Sequence, residues 1–421
     1  MTMPTADSRA ILESLGLVPV INAAGFPSRL GGASLSPAVR AAMDAAAQYF
    51  IPIAEMQARA SEIIAEATGA EAGLVASGGA ACLTLAAAAC ITGDDPAAID
   101  RLPDTTGLRN EIVVHRAHRN PFDHAIRISG ARFVEFGYLG MPAGVGAYRW
   151  QLDAAITDKT AAVFYFGQPT SYVLPIGEVV EVAHGRGVPV IVDAAGAMPP
   201  AKNLRRFIAE GADLVAFSGG KLVRGPAASG FLAGCRRLIR AATIQHQDAF
   251  VHPDVYEPPF AEPGANRPAE PPHQGLGRVL KVGREEIAGL MVALQAFVRR
   301  DHTAEQRGWE KMSEAIAADL RTIKVKGISI TTPAAPWVHV VITFPDRAHA
   351  ARTAVTLQIG RPRVFLAAHR ISNAELVVIP QNLNEEDVPV LITRLREAIE
   401  GAACPSKPEE PGQSLGFEPK R

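Results

Sequence analysis

The sequence predicts an α/β protein in which a mostly parallel sheet is covered by helices on both faces. Between residues 112 and 217, apolar runs that are too short for buried helices alternate with segments of helical periodicity. Such alternation is typical of strand–helix–strand units, whose crossover helices cover a parallel sheet. We therefore expect five of the strands at residues 112–115, 132–136, 161–166, 188–193 and 213–217.

The chain is long enough for a large domain and a smaller one, since it has 421 residues, 48% of them apolar. We expect an N-terminal arm over residues 1–35 and a large α/β domain over residues 36–284. Short strands then mix with helices, which predicts a small α+β domain over residues 285–401. The proline-rich and charged segment 402–421 is expected to be a mobile tail.

Charge and composition argue against several functional classes. The formal net charge is −1, so the bulk positive charge that drives nucleic-acid binding is missing. The four cysteines form no CxxC pair, and the N-terminus lacks a signal-peptide pattern, which favours a cytoplasmic protein. Residues 72–93 are uncharged, but a Ser-Gly-Gly turn and a high alanine content predict a strand and a packed helix rather than a membrane span.

Lys221 follows the last of the five strands and two glycines, at the edge where open α/β sheets bind ligands. Asp193 ends the preceding strand, 28 residues earlier, which is about one strand–helix–strand unit. Neighbouring parallel strands would thus bring an amine and a carboxylate to one edge. Pyridoxal phosphate enzymes need this pair, a lysine for the Schiff base and an acid for the pyridinium nitrogen. The alternative is a solvated surface lysine, the commoner environment for this residue type.

A second signal lies at Ser77, Gly78 and Gly79, between a predicted strand at residues 73–76 and a predicted helix at residues 80–91. Free N–H groups at the start of such a helix, together with the helix dipole, bind anions. The sequence therefore predicts an anion site at this turn. The alternative is an ordinary tight turn without a ligand.

Several longer stretches resemble one protein family. They are residues 22–25, 70–72, 77–81, 103–110, 118–120, 189–196, 218–221 and 224–226, among them Ser218-Gly219-Gly220-Lys221. Together they resemble the selenocysteine synthase-like and D-glucosaminate-6-phosphate ammonia-lyase-like family of fold-type-I pyridoxal phosphate enzymes. The resemblance extends over most of the chain, and its motifs are more specific for the cofactor than for the reaction.

The resemblance implies pyridoxal 5'-phosphate as the cofactor and gives individual residues roles. Lys221 would form the Schiff base and move the substrate Cα proton, and Asp193 would keep the pyridine nitrogen protonated. His118 would stack on the pyridine ring and complete the catalytic set. The residues expected to bind the cofactor are these three, with Ser77, Gly78, Gly79 and the hydroxyl of Ser218 at the phosphate and Gln168 beside the ring oxygen.

His118 has other interpretations, a structural histidine or one half of a metal pair with His115. Their i, i+3 spacing would put them on opposite faces of a strand, and no cysteine or carboxylate completes the set, so we expect no metal. For the substrate carboxylate, arginines near the C-terminal strands are candidates because guanidinium binds carboxylate through two parallel hydrogen bonds. They are Arg363 and Arg370, with Arg361 beside them, and surface exposure is the alternative for each.

These roles predict an enzyme that abstracts the Cα proton of an amino acid or amino sugar acid, eliminates a β-substituent and releases ammonia. Reprotonation on the other face would instead give a racemase or epimerase. The family also contains tRNA-dependent selenium transferases, a third alternative. Phe122 stands where a tyrosine is expected in close relatives, which removes one hydroxyl group. The resemblance also implies a homodimer or higher homo-oligomer. From the near-neutral charge and the alanine-rich character of residues 72–93, we expect no nucleic-acid or membrane partner.

Overall fold

The computed structural model describes residues 8–140, 146–247, 252–256, 274–333 and 338–403. Its strands are β1 (Ile21–Ala23), β2 (Ala72–Ala76), β3 (Glu111–His115), β4 (Arg132–Phe136), β5 (Thr160–Phe166), β6 (Val190–Asp193), β7 (Leu214–Ser218), β8 (Gly230–Gly234), β9 (Ser329–Thr331), β10 (Val340–Thr343), β11 (Val364–Leu366) and β12 (Glu375–Val378). Its helices are α1 (Ser8–Ser14), α2 (Pro37–Gln48), α3 (Ile53–Thr68), α4 (Gly79–Thr92), α5 (Pro96–Arg101), α6 (Asp123–Arg127), α7 (Arg149–Ala155), α8 (Ile176–Gly185), α9 (Asn203–Ala209), α10 (Arg236–His246), α11 (Arg284–Arg299), α12 (His302–Leu320), α13 (Arg347–Ile359) and α14 (Asp387–Ala403).

The chain divides into two compact units, one formed by Ser28–Asp301 and the other by Met1–Pro27 with His302–Arg421. This division differs from the domain limits drawn from the sequence. Helix α11 belongs to the larger unit because it packs on α2 and α3, and its Ile287 and Leu290 are buried. The N-terminal segment belongs to the smaller unit because β1 pairs with β11. Of the predicted tail, residues 404–421 lie outside the described part of the chain.

The larger unit is built on a sheet whose described strands follow the order β2-β8-β7-β6-β5-β3-β4. The strands from β7 to β4 are parallel to their neighbours, as the alternating pattern predicts. Strand β8 runs antiparallel between β2 and β7. The sequence did not reveal β8, because it is a five-residue run that begins and ends with glycine and has no preceding crossover helix.

Local signals in the sequence explain where several helices begin and end. The Ser36 hydroxyl accepts the N–H of Val39 at 3.3 Å and Pro37 is the first residue of α2, both typical of helix starts. Helix α3 ends at Gly69, whose φ of 80° lies in the left-handed region that a residue with a Cβ avoids.

Helices cover both faces of this sheet. Helix α4 packs on one face of the sheet. The strand side chains that point to this face form a continuous core, to which Ile112, Phe164, Ile191 and Leu214 belong. Helix α4 is buried along most of its length, which explains the charge-free stretch that includes it. Each fully buried large side chain in this core contributes about 1.5–3 kcal/mol. Among the helices that are described, none is long and apolar enough to cross a bilayer.

The smaller unit has the α+β character that the sequence predicts. Its described strands form an antiparallel sheet of order β12-β10-β9 and a separate parallel pair of β1 and β11. Helices α12, α13 and α14 pack with these strands around one apolar core, to which Val340, Leu357 and Leu391 belong. The core therefore contains residues from both ends of the chain, since Ala23 of β1 is part of it.

Candidate active site

Strands β6 and β7 end side by side at the carboxyl edge of the larger sheet. They are parallel, with Asp193 opposite Ala216, and the N–H of Ala194 donates to the carbonyl of Ala216 at 2.9 Å. Lys221 follows three residues after β7 ends at Ser218. The structure thus brings the predicted amine and carboxylate to one edge, and the two groups interact electrostatically.

Burial disfavours the charged forms of both groups. The Asp193 side chain is 4% exposed, and burial raises the pKa of its carboxyl, although the N–H of Ala195 at 2.9 Å from Oδ1 and the charge of Lys221 act in the opposite direction. Burial likewise lowers the pKa of the Lys221 amine, opposed by Asp193. An amine with a lowered pKa is more readily neutral, which a nucleophile and a proton acceptor both require.

The predicted Ser-Gly-Gly turn lies at the same edge, between β2 and α4. Gly78 has a φ of 107°, and an ideal Cβ placed on it would meet no heavy atom within 4 Å, so space is open beside the turn. At the start of α4, the N–H groups of Gly79, Ala80 and Ala81 have no helical carbonyl four residues earlier. Open space next to free helix N–H groups is the geometry of an anion site.

Several close approaches join this turn to the strand ends. An ideal Cβ on Gly79 would lie 3.1 Å from the Cβ of Ala195, which directly follows the Asp193–Ala194 strand end. Asp193 also raises the pKa of the Cys82 thiol in the first turn of α4, after burial as the larger cause. The Asp193 carboxyl therefore lies on the α4 face of the sheet, beside the start of that helix.

The Ser77 prediction needs a correction. The Ser77 hydroxyl donates to the carbonyl of Leu280 at 2.8 Å, and the N–H of Gly78 donates to the carbonyl of Ala76 at 2.8 Å. Neither donor is free for a phosphate, so the donors that remain at this turn are the first backbone N–H groups of α4. Ser218 ends β7 at the same edge, half-buried.

These groups fit pyridoxal phosphate, the cofactor that the sequence predicts. Burial raises the pKa of the Asp193 carboxyl, and a positively charged partner such as a pyridinium nitrogen would lower it again and stabilise the carboxylate. The amine of Lys221 is held in the turn that follows the adjacent strand β7, and the open helix start can accept the phosphate dianion. The donor set thus matches the three polar parts of the cofactor.

His118 is buried, with its ring against β5. It is 2% exposed, and its ring packs edge-on against Tyr165, with centroids 4.5 Å apart. Tyr165 is opposite Val192 in the β5–β6 pair, so its side chain points away from the face that holds Asp193. His118 lines a small cavity on that opposite face, together with His115, with Val173 and Leu174 of the loop before α8, and with Val179 of α8. The structure thus places the His118 ring on the opposite face of the sheet from Asp193, and its stacking on the cofactor stays a prediction.

Phe166, the last residue of β5, is not predicted from the sequence. Phe166 is opposite Asp193 in the parallel pair, so both side chains point to the α4 face. Its ring is half-buried at the margin of the α4-face core. The sequence pattern could have indicated Phe166, because residues at the same level in adjacent parallel strands point to the same face of the sheet.

The remaining predicted residues are Gln168 in the larger unit and two arginines in the smaller unit. The Gln168 side chain lies against Gly196, two residues beyond Ala194, because its Nε2 would be 2.1 Å from an ideal Cβ there. Arg363 and Arg370 belong to the smaller unit. There the Nε of Arg363 donates to the carbonyl of Gln358 at 2.9 Å, and Arg370 pairs with Glu375 at 3.6 Å.

Comparisons with known proteins give consistent relatives. No protein-family model matches the chain. The chain is 32% identical over 406 residues to 5'-C-glycyluridine monooxygenase-decarboxylase of a Streptomyces species, covering 92% of this chain and 91% of that protein. It is 30% identical over 402 residues to D-glucosaminate-6-phosphate ammonia lyase of Salmonella typhimurium, covering 93% of this chain and 99% of the relative.

Solved structures agree with these relatives. The structure of D-glucosaminate-6-phosphate ammonia-lyase matches with a TM-score of 0.74 and 29% identity, over 95% of this chain and all of that one. A structure of SPT with pyridoxal phosphate as its internal aldimine matches with a TM-score of 0.54 over 91% of this chain and 88% of that one. At 16% identity, this second likeness shows the fold alone.

The fold, the fit of the site and the relatives agree on one cofactor and one fold type. The protein has the fold-type-I architecture, a mostly parallel central sheet with helices on both faces, and its cofactor is pyridoxal phosphate. The chain belongs to the selenocysteine synthase-like and D-glucosaminate-6-phosphate ammonia-lyase-like family of fold-type-I pyridoxal phosphate enzymes.

Proposed function

We propose that this enzyme eliminates a β-hydroxyl group from an amino acid or amino sugar acid and releases ammonia. The observation that carries the proposal is the pair of Asp193, which is buried at the end of β6, and Lys221, which is half-buried in the turn after the adjacent β7. The two groups shift each other's pKa. The amine and the acid that Cα-proton chemistry needs are thus next to the free helix start of α4.

Each residue would have one task. When bound, pyridoxal phosphate supplies an electron sink conjugated to the amino nitrogen of the substrate. Asp193 would hold a proton at the ring nitrogen, and the α4 N–H groups would bind the phosphate. Lys221 would accept the Cα proton at Nζ, and the Cα electron pair would form a Cα=Cβ bond as the Cβ–O bond breaks. The hydroxyl would leave as water with the proton from Lys221, and hydrolysis of the unsaturated amino acid would give a 2-keto acid and ammonia.

The relatives support a substrate larger than a simple amino acid. One name contains glucosaminate 6-phosphate, an amino sugar acid, and the other contains glycyluridine, a glycyl group joined to a nucleoside. An amino sugar acid has the hydroxyl group on Cβ that elimination requires. The 32% identical relative also supports a second candidate, in which the same substrate class is decarboxylated with dioxygen as the co-reactant.

The first experiment tests the lysine. Wild-type protein loaded with pyridoxal phosphate is reduced with borohydride, and the labelled peptide is identified by mass spectrometry. We expect the label on Lys221, no label in Lys221→Ala, and an unchanged label in Lys202→Ala, whose lysine is exposed just before α9. A label on another lysine, or none, would overturn the assignment.

The second experiment tests the reaction. D-Glucosaminate, its 6-phosphate and serine are incubated with the enzyme in deuterated buffer, and ammonia, keto acid, carbon dioxide and oxygen uptake are measured. Release of ammonia and keto acid without oxygen uptake supports elimination. Cα deuteration without ammonia favours the racemase, whereas oxygen uptake with carbon dioxide release favours oxidative decarboxylation.

A further inference from the structure

His118 is hydrogen-bonded to the last residue of β5. Its Nδ1 accepts the backbone N–H of Phe166 at 3.4 Å, where β3 has already ended and no strand neighbour continues the ladder on that side. The Nε2 atom is buried without a hydrogen-bond partner among the described residues. Burial, and secondarily the neighbouring His115, lowers the pKa of His118 to about 3, so the ring is neutral near pH 7 and Nδ1 can act as an acceptor.

Phe166 is the residue that this hydrogen bond holds. The backbone on its other side is also anchored, since the N–H of Gly167 donates to the carbonyl of Asp193 at 2.8 Å. Asp193 and Phe166 are Cα partners and share a face, so an aromatic ring is placed next to the carboxyl that would hold the ring nitrogen. Phe164, two residues earlier on that face, is 2% exposed in the core, whereas Phe166 remains half-buried.

We propose that Phe166 forms the apolar wall of the cofactor-ring site beside Asp193, and that His118 is a positioning residue that fixes Phe166 through its backbone N–H. The inference rests on the cofactor site proposed above. It reassigns the aromatic contact from His118 to Phe166, and it explains why a histidine is buried on the other face of the sheet. The wall also keeps water from the Asp193 carboxyl, which maintains the burial that raises its pKa.

The test separates the aromatic ring of residue 118 from its hydrogen-bond acceptor. In His118→Asn the amide oxygen can replace Nδ1 as acceptor, whereas His118→Phe keeps an aromatic ring and removes the acceptor. The dissociation constant of pyridoxal phosphate is measured by absorbance and fluorescence titration for these variants and for Phe166→Ala and Phe166→Leu. Thermal unfolding of each cofactor-free variant shows that it is folded.

We expect Phe166→Ala to weaken cofactor binding about tenfold, Phe166→Leu less, and His118→Phe by a similar factor to Phe166→Ala. His118→Asn should bind within about twofold of wild type. The double variant His118→Phe with Phe166→Ala should be no weaker than Phe166→Ala alone, because His118 acts through Phe166.

Three results would overturn the inference. One is a Phe166→Ala variant that binds as wild type does. Another is the reverse order at position 118, with Phe tolerated and Asn not, which is the signature of stacking. If wild type itself failed to bind pyridoxal phosphate, the proposed function and this inference would fall together, whereas loss of the Phe166 effect alone leaves the proposed function intact.

Discussion

The sharpest prediction concerns Gly230, the first residue of β8, which lies beneath the turn that begins α4. An ideal Cβ on Gly230 would lie 2.4 Å from the carbonyl carbon of Gly78 and 2.6 Å from the nitrogen of Gly79. Carbon atoms pack best at about 3.5–4.0 Å, so Gly230→Ala requires a backbone shift of about 1 Å or more. Both clashing atoms are backbone, and no side chain can rotate away to absorb the change.

The expected cost follows from this overlap. Overpacking of this kind destabilises a protein by about 1–3 kcal/mol. Because the displaced atoms belong to the turn whose N–H groups would bind the cofactor phosphate, we also expect pyridoxal phosphate binding to weaken by a factor of ten or more. Geometry errors of about 1 Å at a working site can reduce activity on the order of 100-fold.

The assay compares Gly230→Ala with Gly308→Ala. Gly308 lies inside α12, and an ideal Cβ there would meet nothing within 4 Å, so this control should gain about 0.5–1 kcal/mol of stability. Urea unfolding of the cofactor-free proteins gives the stability change, and absorbance titration gives the cofactor affinity. Wild-type affinity in Gly230→Ala would refute the placement of the phosphate at this turn.

Three further predictions follow from the same structure. Asp193→Asn should make the cofactor-free protein more stable at pH 7, because burial raises the carboxyl pKa and the ionised form is disfavoured in the fold. The Asp193 carboxyl contributes to wild-type stability at low pH, and this contribution is lost as pH rises through its folded-state pKa. The extra stability of Asp193→Asn over wild type should therefore shrink on acidification. Thermal unfolding of both proteins between pH 5 and 8 measures this difference. A destabilised Asn variant at pH 7 would contradict this. Cys82 should resist iodoacetamide in the native protein and react only in urea, because it is fully buried and its pKa is raised. If mass spectrometry found alkylated Cys82 in the native protein, this prediction would be wrong. Arg370→Ala should change the free energy of unfolding by less than about 1 kcal/mol, because its pair with Glu375 is partly exposed, and a larger loss in urea titration would show that the pair is stronger than its exposure suggests.

Two parts of the site show why sequence patterns predicted some site residues and not others. Lys221 and Asp193 could be predicted because each ends a strand, and adjacent parallel strands bring their ends together. His118 also follows a strand, but its role depends on which face its ring takes after the chain leaves the sheet. That choice is made by packing against Tyr165 and by the N–H of Phe166, neither of which is visible from spacing.

The sequence by itself determined the fold class, the parallel order of alternating strands, and the lysine and carboxylate of the site. These follow from periodicities and from residues at strand ends, which are local properties of the chain. Only the tertiary structure decided that β8 lies antiparallel beside β7, that α11 belongs to the larger unit, that the Ser77 hydroxyl binds Leu280, and that Phe166 rather than His118 shares a face with Asp193. Each of these features depends on contacts between residues far apart in the sequence, and such contacts produce no periodic pattern from which they could be predicted.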